Sequence, residues 1–190
     1  MKKLVQLSFL IALMVSATPA FAATTWMDIY ALGGTPDMLE DPAYSLLPGE
    51  SFSVDIYIDG LLPVDSMGFL LNFDSDQLAA SNAFVDTPWT FFSPIADIQA
   101  GLVTFAGSRA FGDSAEGDDV FLAHVDFSCI LAGVSTLQLA PSAPPDTFLP
   151  AGNDITYTSA QISQVPLPSA IFLLAPGLLA LFGLRRKNAS

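Results

Sequence analysis

Hydrophobic and polar residues alternate along most of the middle of the chain. Between Ser51 and Asp59, a Phe, a Val and two Ile residues take every second position, and Ser, Asp or Tyr residues take the others. This period of two predicts a strand with one face on a core. Similar patterns predict further strands at 26–32, 67–73, 101–109, 120–130, 134–139, 155–158 and 160–164.

Turn-forming residues separate these segments, and no long helical period interrupts them. Gly, Pro, Asn and Asp cluster at 47–49, 59–60, 112–113, 117–118 and 152–154. Residues 76–80 predict one short turn, and the four prolines of 141–150 predict an irregular surface loop. Many short strands joined by turns predict one all-β domain, a β-sandwich or jelly roll of about nine strands.

The strand at 120–130 carries the only cysteine and the only histidine of the chain. Alternation places Cys129 on the inward face with Phe127, Val125, Ala123 and Phe121, so we expect a buried and inert thiol. A single cysteine excludes an intramolecular disulfide. His124 falls on the opposite face beside Asp126. No nucleophile elbow accompanies it, so no catalytic residue is predicted.

Two pairs of segments resemble cohesin domains. Ser51–Asp59 followed by Met67–Asp74 is similar to the first half of a cohesin, and Leu122–Phe127 followed by Gly133–Leu137 is similar to the second half. Cohesins are nine-stranded jelly-roll sandwiches that bind dockerin modules. The resemblance therefore implies a non-enzymatic protein-binding domain across residues 26–164, although it identifies no residue that would contact a dockerin.

The first 22 residues have the composition of a secretory signal peptide. Lys2 and Lys3 precede an apolar stretch, and Ala20-Phe21-Ala22 is an A-x-A cleavage site. We expect export through the Sec pathway and cleavage after Ala22. The folded domain then comprises residues 23–164.

Residues 165–190 form a tail with three parts. As a helix, the uncharged stretch up to residue 184 is about 30 Å long, enough to span a bilayer. The basic cluster after it is expected to stay on the cytoplasmic side. The residues concerned are Val165, Pro166, Leu167 and Pro168, the transmembrane helix at 169–184, and Arg185, Arg186 and Lys187.

This tail resembles the PEP-CTERM class of sorting signals, in the variant that has Val-Pro-Leu-Pro in place of Pro-Glu-Pro. The resemblance implies recognition by an exosortase-type protease in the inner membrane of a Gram-negative bacterium. It also implies that the mature protein joins the cell surface or the exopolysaccharide matrix. A permanent, uncleaved membrane anchor is the alternative.

The exported domain is strongly acidic. Nineteen carboxylates and one arginine, Arg109, leave it with a formal charge of −18, and it has no lysine. This charge excludes nucleic acid as a partner, because binding phosphates requires basic residues. It also disfavours acidic polysaccharides and anionic lipids. Self-repulsion of this size is relieved by a salty habitat or by bound divalent cations.

A glycine-punctuated loop concentrates four of these carboxylates. Calcium binds several carboxylate oxygens from one flexible loop. The loop is therefore a candidate calcium site, although its spacing is not that of an EF-hand, and a solvated acidic loop is the other interpretation. The candidate ligands are Asp113, Glu116, Asp118 and Asp119.

A dense aromatic segment is the candidate ligand-contact site. It contains Trp89, Phe91 and Phe92. Aromatic rings stack on sugars and anchor protein interfaces, and they also pack in cores. Both interpretations stay open at the level of the sequence.

Three functions fit these observations. The favoured one is an exported, non-enzymatic adhesion or binding module of the surface or matrix, with a protein module or a polysaccharide as its partner. The second is a small carbohydrate-binding lectin or carbohydrate-active enzyme of jelly-roll type. The third is a structural matrix component without a discrete ligand.

Overall fold

The computed structural model describes residues 22–142, 148 and 154–165. The predicted signal peptide, most of the proline-rich loop and the tail beyond Val165 lie outside these residues. Within them the chain forms thirteen strands and one 3-10 turn, Thr87–Trp89. No helix in this part of the chain is long and apolar enough to cross a bilayer.

Two stacked sheets and a small two-stranded sheet, β4-β9, contain all thirteen strands. The five-stranded sheet has the order β12-β1-β3-β10-β6, and the six-stranded sheet has the order β2-β13-β11-β5-β8-β7. The strands are β1 (Ala22–Ala31), β2 (Ala43–Leu46), β3 (Ser51–Asp59), β4 (Leu61–Val64), β5 (Ser66–Asn72), β6 (Leu78–Val85), β7 (Ile95–Gln99), β8 (Leu102–Ser108), β9 (Ala115–Gly117), β10 (Val120–Cys129), β11 (Gly133–Pro141), β12 (Asp154–Thr156) and β13 (Ser159–Gln164).

Apolar side chains from the facing sides of the two sheets fill the core. Phe52 of β3 stacks on Phe127 of β10 at 5.3 Å between ring centroids, and Phe69 of β5 meets Phe105 of β8 at 5.2 Å. All four rings are buried. Removing this apolar surface from water is the main force that holds the sheets together.

Each strand predicted from alternation corresponds to a strand of the structure, and the predicted all-β sandwich is confirmed. Five strands were not predicted: β2, β4, β6, β7 and β9. In β6 only the two end residues, Leu78 and Val85, are buried. An edge strand of this kind has no hydrophobic period to detect. The turn predicted at 76–80 is correct only as far as Gln77, because β6 begins at Leu78.

A β-bulge corrects the predicted orientation of Phe121. The pairing of β10 with β3 shifts between Phe121 and Ala123. Leu122 therefore points into the core, while Phe121 lies on the outer face against Tyr57, with 5.2 Å between the ring centroids. Beyond the bulge the predicted alternation holds. Cys129 is buried as expected, and burial raises the pKa of its thiol to about 11.

The outer face of β3 is not solvent-exposed, contrary to the prediction of one buried face. Ser53, Asp55 and Tyr57 are all at least nine-tenths buried. Trp26 stacks on Tyr57 with 4.4 Å between ring centroids, and long side chains of β1 and β10 cover the polar residues. The outer face of the five-stranded sheet is thus a second, partly polar, packed layer.

Candidate functional site

The outer face of the six-stranded sheet is almost free of charge. Alternate residues of its strands point away from the core, and the only ionisable one among these described positions is Asp97. We call this surface the neutral face. It comprises Ala43, Ser45, Ser66, Gly68, Leu70, Asn72, Ile95, Asp97, Gln99, Leu102, Thr104, Ala106, Ser108, Val134, Thr136, Gln138, Ala140, Ser159, Gln161 and Ser163.

The pairing register sets side chains of the neutral face in rows across the strands. In the central row, Asp97, Thr104, Leu70 and Ala140 lie directly opposite one another on β7, β8, β5 and β11. The side chains of this row are short, so binding a partner over it orders little side-chain conformational freedom. Charged residues are depleted at the centres of protein interfaces, because burying an unpaired charge is costly.

The outer face of the five-stranded sheet is organised around His124. Its Nδ1 lies 2.6 Å from Asp55 Oδ1, and its Nε2 lies 3.0 Å from Asp126 Oδ1. Phe84 of β6 stacks on the imidazole with 4.7 Å between ring centroids. The predicted position of His124 beside Asp126 is correct. The contact with Asp55 depends on strand order and was not predicted.

Further hydrogen bonds hold the two carboxylates in place. Ser53 Oγ and Asn82 Nδ2 donate to Asp126 at 2.7 and 2.8 Å, and the Tyr30 hydroxyl donates to Asp55 at 3.1 Å. Neither ring nitrogen of His124 is free to take a proton from a substrate in this arrangement. The network links four strands: β1, β3, β10 and β6.

The pKa values of the network follow from these contacts. Burial lowers the pKa of His124, but its hydrogen bond to Asp55 and the charges of both carboxylates outweigh that effect, so the pKa is raised. Burial raises the pKa of Asp126. The hydrogen bonds from Ser53 and Asn82 and the nearby His124 outweigh burial, so this pKa is lowered. The network therefore favours a charged imidazole between two carboxylates.

The structure divides the predicted aromatic segment into two parts. Trp89 is fully buried, and its Nε1 donates to the Phe121 carbonyl at 3.0 Å. Phe91 and Phe92 are exposed by 50% and 56%. Phe111, from a different loop and exposed by 89%, packs edge-on against both rings. Trp89 is thus a core residue in this conformation, and Phe111 takes its place at the surface.

Gly107 allows the Trp89 segment to approach β8. A Cβ at this position would lie 2.5 Å from the Trp89 carbonyl oxygen and 2.8 Å from its Cβ. We therefore expect Gly107→Ala to lower the free energy of unfolding by about 1–3 kcal/mol, the usual cost of overpacking. Denaturant unfolding measures this loss. Gly112→Ala is the comparison: its Cβ meets open space, so its loss reports the strain of a left-handed backbone without overpacking.

The acidic loop does not bring its four predicted calcium ligands together. Asp113 pairs with Arg109 at 3.0 Å, and Asp118 accepts a hydrogen bond from the Gly60 N–H at 2.8 Å. The Asp119 N–H donates to Asp59, and Glu116 is exposed. These contacts fasten the loop to the β3–β4 turn. In the described part of the chain, no three of these carboxylates converge.

Three other carboxylates do converge: Asp28 of β1, and Asp37 and Asp41 of the following loop. Their oxygens lie within 4.8 Å of one another. The loop folds back because the Met38 N–H donates to Asp28 at 2.7 Å and the Ile29 N–H donates to Asp41 at 2.9 Å. Carboxylate oxygens are calcium ligands, so this group has the donor set for a divalent cation. No local sequence pattern predicts this group, since only the fold brings Asp28 to the loop.

Asp28 is 1% exposed, and its charge is unfavourable where it lies. Burial raises its pKa, the Met38 hydrogen bond lowers it, and the charges of Asp37, Asp41 and Asp55 raise it further. We expect Asp28→Asn to raise the free energy of unfolding in EDTA by about 0.5–2 kcal/mol, the range found when one unfavourable charge is removed. The amide keeps an acceptor for Met38 and adds a donor for the neighbouring carboxylates.

Thermal melting measures this effect, with Asp118→Asn as the matched control outside the group. A lower melting temperature for Asp28→Asn in EDTA would contradict the unfavourable charge. Repeating the melts with calcium tests occupancy directly. A calcium response that Asp28→Asn abolishes and Asp118→Asn keeps would assign the cation to this group and not to the acidic loop.

Comparison with known proteins identifies the architecture. A scan of protein-family models and a search of curated proteins return no match. Among solved structures, a cohesin from Clostridium acetobutylicum, CaCohA2, superposes with a TM-score of 0.54 at 16% identity, over 76% of this chain and 91% of that one. The fold is cohesin-like.

Other cohesins superpose to a similar extent. The sixth cohesin of scaffoldin B from Acetivibrio cellulolyticus, solved with a dockerin, has a TM-score of 0.52 at 11% identity and covers 77% of this chain and 99% of its own. The OlpC cohesin of Clostridium thermocellum, solved in a type I cohesin–dockerin complex, has a TM-score of 0.53 at 9% identity, with coverages of 79% and 99%. The cohesin-like fold predicted from the sequence segments is confirmed.

Proposed function

We propose that the protein is an exported, non-enzymatic binding module that docks a protein module through the neutral face. The observation that carries the proposal is the absence of charge from this face, apart from Asp97, in a domain with a formal charge of −18. Nineteen carboxylates distributed without regard to function would place several on a sheet face of this size. The neutral face is therefore a surface whose burial costs little in desolvation.

A protein fits this face better than a sugar does. Its outward residues include no Trp, Tyr or Phe among the described positions, so it has no ring on which a sugar could stack. The flat rows of small side chains suit close packing against another folded surface. Two of the similar cohesins were solved in complex with dockerins, which supports a protein module as the partner.

We further propose that the tail delivers this module to the cell surface or matrix. Strand β13 ends at Gln164, directly before the Val165–Pro168 motif, so the motif is adjacent to the folded domain. An exosortase-type protease of the inner membrane is the processing enzyme that this motif suggests. The basic cluster Arg185–Lys187 holds the end of the apolar stretch on the cytoplasmic side until cleavage.

A photo-crosslinking amino acid tests the docking face in the exporting cell. Placed at Thr104, in the central row of the neutral face, this amino acid is expected to form one discrete adduct with a protein, while the same amino acid at exposed Thr156 of β12 forms none. The partner captured by the crosslink is then purified. Thr104→Glu is expected to weaken the binding of that partner to the domain about tenfold or more, because the substitution buries an unpaired charge. Docking through this face would be refuted by equal adducts from both positions. It would also be refuted if Thr104→Glu bound the captured partner as tightly as the unaltered protein does.

Fractionation of the cell tests the sorting tail. Replacement of Pro166 and Pro168 by Ala is expected to leave full-length protein in the inner membrane, whereas the unaltered protein reaches the surface in a shortened form. Substitution of Pro141, outside the motif, is the control. Shortened surface protein from the motif variant would show that the motif is not the processing signal.

A further inference from the structure

Three exposed phenylalanines form one cluster at an end of the sandwich. Phe91 and Phe92 pack edge to face with 4.5 Å between centroids, and Phe111 lies 6.2 and 5.8 Å from them. We call this set the aromatic tip. Edge-to-face packing gives the rings a defined geometry but leaves about half or more of each ring in water. Exposed apolar groups gathered in this way mark interaction sites.

Hydrogen bonds, a buried side chain and an ion pair hold the backbone of the aromatic tip in place. The Phe91 N–H donates to the Ser108 carbonyl at 3.0 Å, and Thr90 forms a bridge with Ser108, so the segment is fastened to the end of β8. Trp89, just before it, is anchored in the core. The Phe111 loop is closed by the Arg109–Asp113 ion pair at 3.0 Å. The rings are therefore presented in one arrangement without a large loss of backbone entropy on binding.

The tip lies on a strongly acidic domain, and Arg109, the only arginine or lysine of residues 23–164, is already engaged beside it. Asp86 precedes the Trp89 segment, Asp113 follows Phe111, and the Asp65 carbonyl accepts from the Arg109 N–H at 2.8 Å. The guanidinium of Arg109 lies over the Trp89 ring at 5.3 Å and pairs with Asp113. The tip thus presents aromatic faces on a domain with a formal charge of −18 and no uncompensated cation. Lysine and arginine side chains bind such surfaces through the ring faces and the nearby carboxylates together.

We propose that the aromatic tip binds a basic segment of a partner protein in which lysine or arginine alternates with apolar residues. The apolar side chains pack on the phenyl edges, and the cations lie over ring faces and beside Asp65 and Asp113. This site is separate from the neutral face, and the proposal does not depend on docking through that face.

A second copy of the chain and an anionic membrane match the charge or the area of the tip less well than a basic segment does. A second copy of the chain would bring two acidic ends together, and three half-exposed rings offer roughly 300–400 Å², below the approximately 800 Å² that each side of a stable interface buries. Anionic lipid is repelled by the same carboxylates.

Binding of synthetic peptides to the exported chain, purified as the cell processes it, tests the proposal. Fluorescence anisotropy compares three labelled peptides of equal length: alternating lysine and leucine, alternating glutamate and leucine, and alternating lysine and serine. The lysine–leucine peptide is expected to bind, the glutamate–leucine peptide not to bind, and the lysine–serine peptide to bind about tenfold more weakly. Binding is expected to weaken with added salt.

Variants locate the site. Phe91→Ser/Phe111→Ser is expected to weaken binding of the lysine–leucine peptide about tenfold, and Asp65→Asn to weaken it several-fold. Ile130→Ser/Leu131→Ser removes two comparably exposed apolar side chains elsewhere and is expected to leave binding unchanged. Thr104→Glu, on the neutral face, is likewise expected to have no effect, which separates this site from the proposed docking face. Melting curves confirm that each variant is folded.

Several results would overturn the proposal. Equal binding by the Phe91→Ser/Phe111→Ser variant would place the peptide elsewhere, and binding of the glutamate–leucine peptide would show that the charge pattern is irrelevant. Self-association in sedimentation that depends on Phe111 would assign the tip to a second copy. Flotation with zwitterionic vesicles that depends on Phe111 would assign it to a membrane.

Discussion

Trp89→Ala is expected to lower the free energy of unfolding by about 3–5 kcal/mol, the range for truncating a large buried aromatic residue. The indole is fully buried, donates a hydrogen bond to the Phe121 carbonyl and lies under the Arg109 guanidinium. Its removal leaves a cavity, an unpaired carbonyl and a cation without its aromatic partner. Denaturant unfolding, followed by circular dichroism, measures the loss.

Two further variants separate the causes of this loss. Trp89→Phe keeps most of the apolar volume but leaves the Phe121 carbonyl unpaired. We therefore expect it to lower the free energy of unfolding by about 1–3 kcal/mol. Phe92→Ala removes an exposed ring from the same segment and is expected to cost less than about 1 kcal/mol. If Trp89→Ala cost no more than Phe92→Ala, the segment would not be anchored through its tryptophan.

Asp55→Ala is expected to lower the free energy of unfolding by about 3 kcal/mol at mildly acidic pH, because it breaks a buried and hydrogen-bonded charge pair. Asp55 accepts from His124 and from Tyr30, on the two strands that flank β3. Asp55→Asn keeps the shape but not the charge and serves as the control for packing. Thermal and denaturant melts at one pH compare the three proteins. A full loss in Asp55→Ala with no loss in Asp55→Asn would show that packing at this position, and not the charge pair, determines the stability.

The same network gives stability a specific pH dependence. The folded pKa of His124 is raised above its ordinary 6.5, so its contribution is complete below that value and is lost as pH rises through the folded pKa. The folded pKa of Asp126 is lowered below 3.8, so its contribution is present above 3.8 and is lost as pH falls further. Both contributions are therefore complete between these two values.

Of the groups that face His124, the carboxylates raise its pKa and the others carry no charge. These groups are Asp55 on β3, Asp126 on its own strand, and Asn82 and Phe84 on β6. Asp28, whose pKa is raised, adds stability when acidification neutralises it. We expect the melting temperature to be higher at mildly acidic than at mildly alkaline pH, and His124→Gln to reduce this difference. A melting temperature that rises through neutral pH would contradict the charged-imidazole network.

The sequence predicted the fold well because the core of a sandwich has a local signature. In β3, β8 and β10 every second residue is buried and apolar, and this period can be detected without any knowledge of neighbouring strands. The missed strands β6 and β7 are edges, where one side meets solvent and the period disappears. The bulge in β10 could not be predicted either, because the extra residue is set by pairing with β3 and leaves no mark in the pattern.

The candidate sites were predicted less well, because each depends on residues that are distant in the sequence. The aromatic segment was recognised, but tertiary packing took Trp89 into the core and brought Phe111 to the surface beside Phe91 and Phe92. The acidic loop was recognised by its density of carboxylates. Instead of converging, Asp113 pairs with Arg109 and Asp118 contacts the turn at Gly60. Asp28 meets Asp37 and Asp41 because the loop after β1 folds back on that strand.

The sequence alone determined the all-β class, the core positions of the regularly alternating strands, the extreme acidity and the absence of an intramolecular disulfide, since each follows from composition or local period. Only the tertiary structure decided which sheet face is neutral, which face carries the His124 network and where the exposed rings gather. Those properties depend on strand order and register, which are fixed by the joint packing of two sheets and not by any one segment.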